Sequence, residues 1–427
     1  MKSNKKIILA GLAVLLFFAA AIFIYIRQSQ KAKESAELKM DTIEDVKGLG
    51  YSGQRKIAMD SHGNFFVAYR KKYQSKSEIF LAKAAFANGQ WKVFRKNQPI
   101  SQVASGVDQR VPSIAIDSRN DLHAVWYGSD LEKQPNNRQV KYSRSSDGGK
   151  TWTQWKNISY VAGYISPEDY WQEHPYILSG RDDELFVVWE GKDKDNQAQQ
   201  IKFSRSSDGG ATWSQWINVQ ASPGNTQSRP TLVEDSKGRL HLFMYSADGN
   251  NSERRQQIHY LRSDDKGDSW SKRLAVSDPD SDSRHISAAS DEKGTIHLAW
   301  RAQNSSGFSQ IMYRSLKNGS WSAIRSVGPS ENYQFFPSIG VDGNGKINVV
   351  WMESDQPSDL PTEDPQDGKV FLSTLIAGAF SAPLEISSPS GGLYPHVPEK
   401  FGKEGKPIIY ESAVASGNYD LLFNITK

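Results

Sequence analysis

The sequence predicts an all-β protein, a β-propeller of four-stranded blades, and three observations support this fold class. From residue 55 onward one unit recurs every 50 to 60 residues or so, and a period of about that length is typical of propellers and repeat arrays. Each unit contains short apolar strands joined by tight turns, without a long amphipathic helical pattern. A short motif also recurs in the turn between the third and fourth strands of three units.

The number of units predicts the number of blades. Each unit carries an apolar second strand that ends in an aromatic residue, which marks the unit in the sequence. These seven markers are Tyr69, Trp126, Trp189, Tyr245, Trp300, Trp351 and Tyr410. Because a propeller blade has four short antiparallel strands, seven markers predict seven blades.

The seventh unit contains only three strands, the last of which ends at Ile425. We predict that the stretch from Thr42 to Leu49 supplies the fourth. Pairing the two ends of the chain in one blade closes the ring and removes an exposed strand edge. The propeller is therefore predicted to occupy residues 41–427.

The N-terminal segment predicts a membrane anchor. Residues Ile7 to Ile26 form an uncharged, almost wholly apolar run of 20, which as a helix spans about 30 Å, the thickness of the bilayer hydrocarbon core. A cleaved signal peptide is the alternative, but it has a shorter apolar core and ends in small residues. Three lysines before the run favour an inside N-terminus. We expect an anchor at 1–26, a stalk at 27–40 and a periplasmic or extracellular propeller.

Charge and composition exclude several functions. The net charge is +4, yet the first 40 residues alone hold seven basic and two acidic side chains, so the remainder is almost neutral. A neutral body offers no electrostatic footprint for nucleic acid. Without cysteine, disulfides and thiolate chemistry are excluded. We predict a monomer without cofactor or metal: Asp278, Asp280 and Asp282 alternate like calcium ligands but lack the glycine and the final acid of such a loop.

The recurring turn motif combines Ser, Asp, Gly, Ser or Thr, and Trp at fixed spacing. The Asp side chain can bind turn amides, Gly permits a positive φ, and Trp packs the turn against the blade. The Asp and Trp of the three copies are Asp147 and Trp152, Asp208 and Trp213, and Asp265 and Trp270. The spacing resembles the Asp box, or BNR repeat, of the sialidase (neuraminidase) superfamily. The resemblance implies a structural role for these residues.

Functional groups are expected on the face opposite the Asp boxes, where the connections are long. We call these two faces the loop face and the Asp-box face. Residues 160–174 combine aromatic side chains, Trp171 among them, with carboxylates, a mixture that suits sugar binding. Acidic residues dominate the connection 353–368, and the connection 387–396 ends in Tyr394 and His396.

Arginines also collect on the loop face, at the start of first strands and the end of second strands. Four of them are Arg110, Arg229, Arg284 and Arg301. A ring of guanidinium groups can bind a carboxylate with paired hydrogen bonds. The alternative is that arginines pair with acidic side chains of neighbouring blades.

The sialidase resemblance covers roughly residues 105–325, and it suggests roles for several of these residues. Arg110, Val111 and Pro112 are similar to the Arg-Ile-Pro signature, which makes Arg110 the first of three carboxylate-binding arginines. Arg301 matches a second, and Arg229 or Arg284 the third. Sialidases have six blades, so six is the alternative count.

The resemblance also suggests catalytic residues. Sialidases use a Tyr nucleophile, which needs a neighbouring carboxylate. Tyr394 with Glu411 is the first choice here, and Tyr333 beside Glu331 is the second. For the acid/base the nearest matches are Glu173 and His174. This chain departs from the family where Arg229 and Arg284 stand at positions that tend to carry the activating Glu.

Together these features predict a membrane-anchored sialidase-like propeller that binds or cleaves glycans on its loop face, as an exo-α-sialidase-type glycoside hydrolase if it is an enzyme. The alternative is a non-catalytic platform that holds an envelope protein.

Overall fold

The computed structural model describes residues 36–426, except 45–46, 51–52, 89, 96–97, 102–106, 130–137, 161–169, 223, 248–254, 358–367, 388–390, 404 and 415–416. The predicted anchor and most of the predicted stalk lie outside the described residues. Within the described part, no helix is long and apolar enough to cross a membrane. The described chain forms seven sheets arranged as successive blades. The predicted seven-bladed, all-β propeller is therefore confirmed.

Blades one to three follow one another along the chain after an initial strand, β1 (Ala36–Ile43). In each of these blades the first strand is innermost and the fourth is outermost. Blade one comprises β2 (Ile57–Met59), β3 (Phe65–Tyr73), β4 (Lys76–Ala87) and β5 (Gln90–Arg95). Blade two comprises β6 (Gln109–Ile116), β7 (Leu122–Gly128), β8 (Gln139–Ser145) and β9 (Lys156–Asn157). Blade three comprises β10 (Gln172–Ser179), β11 (Leu185–Asp193), β12 (Asn196–Ser206) and β13 (Ile217–Asn218).

Blades four to six repeat this order, with the outermost strand divided in two in blades five and six. Blade four comprises β14 (Gln227–Glu234), β15 (Leu240–Ala247), β16 (Gln256–Ser263) and β17 (Leu274–Ala275). Blade five comprises β18 (Asp282–Ser290), β19 (Ile296–Gln303), β20 (Ser309–Lys317), β21 (Ser320–Trp321) and β22 (Arg325–Ser326). Blade six comprises β23 (Tyr333–Asp342), β24 (Ile347–Ser354), β25 (Lys369–Ile376), β26 (Ala379–Phe380) and β27 (Leu384–Glu385).

Blade seven joins the two ends of the chain. It contains β28 (Leu393–His396), β30 (Lys406–Ala413), β31 (Tyr419–Thr426) and, as its outer strand, β1, while β29 (Lys400–Phe401) pairs with β23 of blade six. The N-terminal closing strand is thus present, but it lies at 36–43 and not at 42–49. Its position follows from Met40 and Ile43, which are fully buried in the core, and from Asp41, which accepts a hydrogen bond from Tyr69 Oη at 2.7 Å.

The second-strand markers form the core between blades. Trp126, Trp189, Trp300 and Trp351 are at most 1% exposed. In blade four the marker was assigned wrongly. Leu240 begins the second strand of blade four, and Ile296 begins that of blade five. Met244 and Trp300 each stand four residues after these positions. Met244 therefore holds the core position that Trp300 holds in blade five. Tyr245 takes the next position on the strand, whose side chain points the other way because residues alternate across a sheet.

The three Asp boxes have the structural role that the resemblance implies. In the second box, Asp208 Oδ1 accepts from Thr212 N at 2.8 Å, and Asp208 Oδ2 accepts from Thr212 Oγ1 at 2.6 Å. Ser206 Oγ donates to the same carboxylate at 2.7 Å. The boxes around Asp147 and Asp265 repeat this pattern. Each box therefore closes its own turn by internal hydrogen bonds.

Buried Asp–His–Tyr groups recur beneath the Asp-box face and have the geometry of a catalytic relay. In blade four, His241 Nδ1 lies 2.9 Å from Tyr260 Oη, and its Nε2 lies 3.2 Å from Asp235 Oδ2. Blade two has the same group in Asp117, His123 and Tyr142. Blade five has it in Asp291, His297 and Tyr313. Recurrence in three blades indicates that these groups stabilise the blade.

The pore is crossed by a segment of blade one. Arg55 donates through Nη1 to Ile339 O at 2.9 Å and Val397 O at 3.1 Å, and through Nη2 to Ala288 O at 2.6 Å. These carbonyls belong to or directly follow the inner strands of blades five, six and seven. Lys56 Nζ donates to Pro112 O of blade two at 2.5 Å. These contacts tie blade one to blades two, five, six and seven.

Candidate functional site at the mouth of the pore

Six inner strands carry the same irregularity where they reach the loop face. One residue in each has a positive φ, between 48° and 54°, and the pairing register shifts there. The six residues, which we call the inner ring, are Val111, His174, Arg229, His285, Phe336 and Tyr394. Positive φ is strained for such residues and is retained where surrounding structure imposes it. A bulge re-aims a side chain, and here it does so at the loop-face end of the inner strand in six of the seven blades.

A second ring of residues lies at the ends of the second strands, directly after the core position. Its members are Arg70, Tyr127, Glu190, Tyr245, Arg301, Met352 and Glu411. Contacts join the two rings and neighbouring blades. The Phe336 ring lies 4.4 Å from His285 and 4.9 Å from Tyr394, and the Tyr127 ring lies 5.1 Å from His174. The polar members concentrate in blades three to five.

The centre of this polar sector is His174 with Glu190. Nδ1 of His174 lies 2.7 Å from Glu190 Oε1, and the backbone N–H of Arg229 donates to Glu190 Oε2 at 2.5 Å. Burial raises the pKa of Glu190, but His174 and Arg229 outweigh it and leave that pKa below its usual value. Burial, together with Arg229, lowers the pKa of His174. A neutral imidazole therefore donates from Nδ1 to an ionised carboxylate, which leaves Nε2 as the basic nitrogen.

Arg229 is the common electrostatic neighbour of the site. Burial lowers the pKa of Lys56 well below its usual value, and the charges of Arg70 and Arg229 lower it further. Burial also lowers the pKa of His285, with contributions from Arg301 and two other arginines, one of which is Arg229. The charge of one guanidinium thus influences residues of blades one, three and five.

The other predicted arginines are held by acids of their own blades. Arg284 Nε donates to Asp282 Oδ1 at 2.6 Å, and Arg301 Nη2 lies 3.9 Å from the same oxygen. Arg110 Nη2 donates to Asp108 Oδ2 at 3.0 Å. Asp282 and Asp108 each stand two residues before the arginine near the start of the inner strand, which is Arg284 in blade five and Arg110 in blade two. These three arginines therefore face acids of their own blades, whereas Arg138 of blade two pairs with Glu173 of blade three, which is an Arg–Glu pair between neighbouring blades.

Tyr394 and Glu411 share blade seven, where Leu393 stands opposite Glu411. Glu411 accepts from the backbone N–H groups of Lys47 at 3.1 Å and Leu49 at 2.6 Å, and it is fully buried. Tyr394 is 2% exposed and packs against Phe336. The carboxylate of Glu411 thus fixes the N-terminal segment. The second-choice tyrosine, Tyr333, packs against Phe308 with ring centroids 5.4 Å apart.

Of the aromatic and acidic connection 160–174, positions 161–169 lie outside the described residues. Trp171 lies at the end of this connection, and Lys192 Nζ stands 5.7 Å from its ring. Glu173, beside His174, forms a hydrogen-bonded ion pair with Arg138. Trp171 and Glu173 thus extend the polar sector outward along blade three.

One group among the described residues has donor atoms close enough to hold a metal ion. Oxygens of Glu173 and Glu190 and a nitrogen of His174 all lie within 4.8 Å of one another. Both carboxylates are already engaged, the first by Arg138 and the second by the Arg229 amide and His174. The guanidinium groups of Arg138 and Arg229 oppose a bound cation, so the group is better suited to acid–base work.

Two sequence signals point to the rings. Proline follows the inner-ring residue in five of six blades, at positions 112, 175, 230, 337 and 395. Glu190 directly follows the Trp189 marker, which places it in the second ring. Its contact with His174 could be foreseen only by aligning the two signals blade by blade.

A seven-bladed propeller with Asp boxes and a polar pore mouth belongs to the class of Asp-box propellers. Residues 183–357 match the family model of the BNR repeat-like domain. The predicted resemblance to BNR repeats is therefore confirmed over these residues, in a chain that folds as a β-propeller. The sequence matches none of the curated proteins.

Solved structures with this fold include several carbohydrate-active proteins. A polysaccharide lyase described as an ulvan lyase aligns with a TM-score of 0.60 and 11% identity over 90% of this chain and 95% of its own. An α-L-arabinanase of Penicillium chrysogenum has a TM-score of 0.54 and 17% identity over 76% and 95%. The NanB sialidase of Streptococcus pneumoniae has a TM-score of 0.51 and 11% identity over 92% and 93%. At such identities the likeness shows a shared fold.

Proposed function

We propose that the protein binds acidic glycans at the mouth of its pore and acts on them there, with His174 as the base. The observation that carries this proposal is the polar sector, in which a neutral histidine is oriented by the ionised Glu190 beside the guanidinium of Arg229. Guanidinium groups bind carboxylates with paired, charge-assisted hydrogen bonds. The structural neighbours named as an ulvan lyase, an α-L-arabinanase and a sialidase support a carbohydrate as the substrate class.

The geometry favours proton removal over a tyrosine nucleophile. Glu411, the predicted partner of Tyr394, accepts from two backbone amides of the N-terminal segment, so its carboxylate has a structural role in holding that segment. A base beside a carboxylate-binding cation supplies what elimination from a uronic acid requires, because the cation stabilises negative charge next to the carboxylate. Hydrolysis of a sialoside is the competing outcome in the test.

The test uses the full chain in detergent with two substrate sets, fluorogenic sialosides and uronate polysaccharides. Elimination is followed by the ultraviolet absorbance of the unsaturated product, and binding is measured by calorimetry. We expect Arg229→Gln to weaken binding roughly 10- to 100-fold, since one charge-assisted hydrogen bond contributes about 1.5–3 kcal/mol. We expect His174→Gln to retain binding and to lose turnover by about 100-fold or more.

The matched control is Arg119→Gln, because Arg119 lies on the Asp-box face and is half exposed. Its binding and turnover should equal those of the wild type. Failure of the wild type to bind any acidic glycan, or unchanged binding by the Arg229 variant, would contradict the proposal and leave the platform for an envelope protein as the alternative.

We also propose that residues 7–26 anchor the propeller to a membrane, with the N-terminus inside and the loop face outside the cytoplasm. The uncharged apolar run and the preceding lysines support this. Alkaline extraction should leave the full chain in the membrane fraction, while added protease should cleave the propeller side in intact cells. Recovery of the full chain in the soluble fraction would refute the anchor.

A further inference from the structure

The described chain enters the propeller at the Asp-box face. β1 runs antiparallel to β31, with Ala36 opposite Ile425 and Ile43 opposite Tyr419. The hairpin that joins β30 to β31 lies at the loop face, because β30 carries Glu411 of the second ring near its end. Tyr419 follows that hairpin, so the opposite end of β1, at Ala36, lies at the Asp-box face.

The length of chain before Ala36 limits how far this edge can lie from a membrane. Residues 27–35, nine in number, separate Ala36 from the apolar run 7–26 that we propose as the anchor. A chain extends by at most about 3.3–3.6 Å per residue, so this linker spans about 30 Å at most. The proposed anchor therefore holds the Asp-box edge of blade seven close to the bilayer surface.

A groove of about 400 Å³ opens at this edge, between blades six and seven, and we call it the rim groove. Thr426, which follows the strand partner of Ala36, belongs to its lining. Its charged lining residues are Asp342, Lys346, Lys403 and Lys406. The Asp342 carboxylate accepts hydrogen bonds from the backbone N–H groups of Asn344 and Lys346 at 2.9 Å each. This acid is thus engaged by its own turn, and the three lysines dominate the charge of the groove.

The three lysines are available to a ligand. None of their ammonium groups forms a salt bridge within the part of the chain that the structure describes. Lys346 and Lys403 are exposed, and Lys406 is half-buried. Even with Glu404, which follows Lys403 in the sequence, lysines outnumber acids by three to two, and the linker 27–35 adds three basic side chains against one acidic one. A basic cluster of this kind is attracted to an anionic membrane surface.

Exposed apolar side chains accompany these cations. Ile376 and Leu384 line the rim groove and are each 51% exposed. Blade one packs on the other side of blade seven, and there Phe86 is 60% exposed at the hairpin between β4 and β5, which also lies at the Asp-box face. Apolar side chains beside basic ones are typical of a surface that lies in the headgroup region of a membrane.

The acidic turns that carry the Asp boxes lie in other blades. The turns between third and fourth strands contain Asp147 in blade two, Asp208 in blade three and Asp265 in blade four. The corresponding turns of blades six and one, residues 376–379 and 86–90, contain no acidic residue in the sequence. An anionic surface is therefore repelled less at blades six, seven and one than on the opposite side of the ring.

We propose that the rim groove binds the headgroups of anionic phospholipids and holds the Asp-box face against the membrane. The proposal rests on the anchor that we propose for residues 7–26, whereas the lysines and the exposed apolar residues are independent of it. The eight-residue strand β30 spans about 26 Å between the two faces. The contact therefore turns the mouth of the pore away from the bilayer, where a glycan polymer can reach it.

The experiment measures which side of the Asp-box face touches the membrane. Because the chain has no cysteine, Asn344→Cys can be labelled specifically with a fluorophore at the rim groove. The full chain is reconstituted into phosphatidylcholine vesicles that contain one quarter phosphatidylglycerol and a lipid with a headgroup-level quencher. The matched control is Lys237→Cys, because Lys237 stands two residues after Asp235 in blade four, as Asn344 stands two residues after Asp342. We expect quenching at least about threefold stronger at position 344 than at position 237.

Charge removal tests the nature of the ligand. Each basic side chain near an anionic membrane strengthens binding roughly fivefold, so replacing Lys346, Lys403 and Lys406 together with glutamine should weaken the contact by about 100-fold. Quenching at position 344 should then fall to the level at position 237, and about 0.5 M sodium chloride should have the same effect. The control replaces three exposed lysines of the same face in blades two and five with glutamine and should leave quenching unchanged. These three are Lys150, Lys293 and Lys317.

Equal quenching at the two positions, or unchanged quenching in the triple variant of the rim groove, overturns the proposal and leaves the groove to a soluble partner. Alkaline extraction of the same vesicles reports on the anchor separately. A chain that resists extraction but shows equal quenching refutes the rim groove alone, and an extracted chain refutes the anchor and the proposal with it. Glycan binding at the pore mouth is measured without vesicles, so its outcome is independent of both.

Discussion

Replacing Arg55 with methionine removes the guanidinium that reaches across the pore and leaves a shorter, unbranched apolar side chain. The guanidinium donates to carbonyl oxygens of Ala288, Ile339 and Val397, which lie in three different blades. Methionine cannot donate, so these buried carbonyls lose their partners. The change therefore tests whether one residue of blade one helps to hold the opposite side of the ring.

The magnitude follows from the three contacts. A hydrogen bond to a charged group contributes about 1.5–3 kcal/mol, so the gross loss is roughly 4.5–9 kcal/mol. Removing the buried charge also removes a desolvation cost of several kcal/mol. We expect a net loss near 4 kcal/mol in the free energy of unfolding. With about 2.1 cal/mol/K of unfolding entropy per residue and roughly 390 residues, the melting temperature should fall by about 5 °C.

Scanning calorimetry of the full chain measures this shift. The control is Arg262→Met, which removes a partly exposed arginine paired with the exposed Asp264 near the Asp-box face. Such a surface pair contributes about 0–1 kcal/mol, so the control should melt within about 1 °C of the wild type. An Arg55 variant that also melts within about 1 °C would refute the reasoning, because the bonds across the pore would then contribute nothing net.

Three further predictions follow from the same structure. Burial holds the pKa of His285 and His396 well below the usual value, so both stay neutral when folded and gain a proton on unfolding. Lowering the pH from 7.5 to 5.5 should therefore lower the free energy of unfolding by about 1.4 kcal/mol for each histidine. Equal melting temperatures at the two pH values would contradict this. Asp208→Ala opens one Asp box and should lower the free energy of unfolding by about 1–3 kcal/mol in a denaturant titration, with glycan binding unchanged because the turn lies on the opposite face. Glu190→Gln removes the carboxylate that orients His174, so turnover should fall about 10- to 100-fold. Because Glu190 raises the pKa of His174, the acid limb of the pH–rate profile should also move to lower pH. An unchanged profile would count against a role for the His174–Glu190 pair.

Much of the fold could be predicted from the sequence because blades are local structures. A strand, a turn containing Asp and Gly, and a buried aromatic residue lie within about 60 residues, and their spacing repeats. The Asp boxes were therefore located to the residue. The marker of blade four was displaced by one position, since Met244 and Tyr245 are both apolar enough for a core and only strand register distinguishes them.

The candidate site was predicted in part. His174, Glu173 and Arg229 were identified, and the structure brings them together with Glu190. Tyr394 and Glu411 share a blade as predicted, but the carboxylate serves the backbone of residues 47–49. That contact joins positions more than 360 residues apart, a separation at which sequence spacing gives no information.

By itself the sequence determined the blade count, the turns and the face on which each loop emerges, because short-range periodicity and turn chemistry specify them. Tertiary structure alone decided what the pore contains. Glu190 accepting from the Arg229 amide of the next blade, Arg55 crossing the pore, and Glu411 holding Leu49 all depend on how seven similar units close on one another. Closure brings together residues from different blades, and no single repeat encodes that contact.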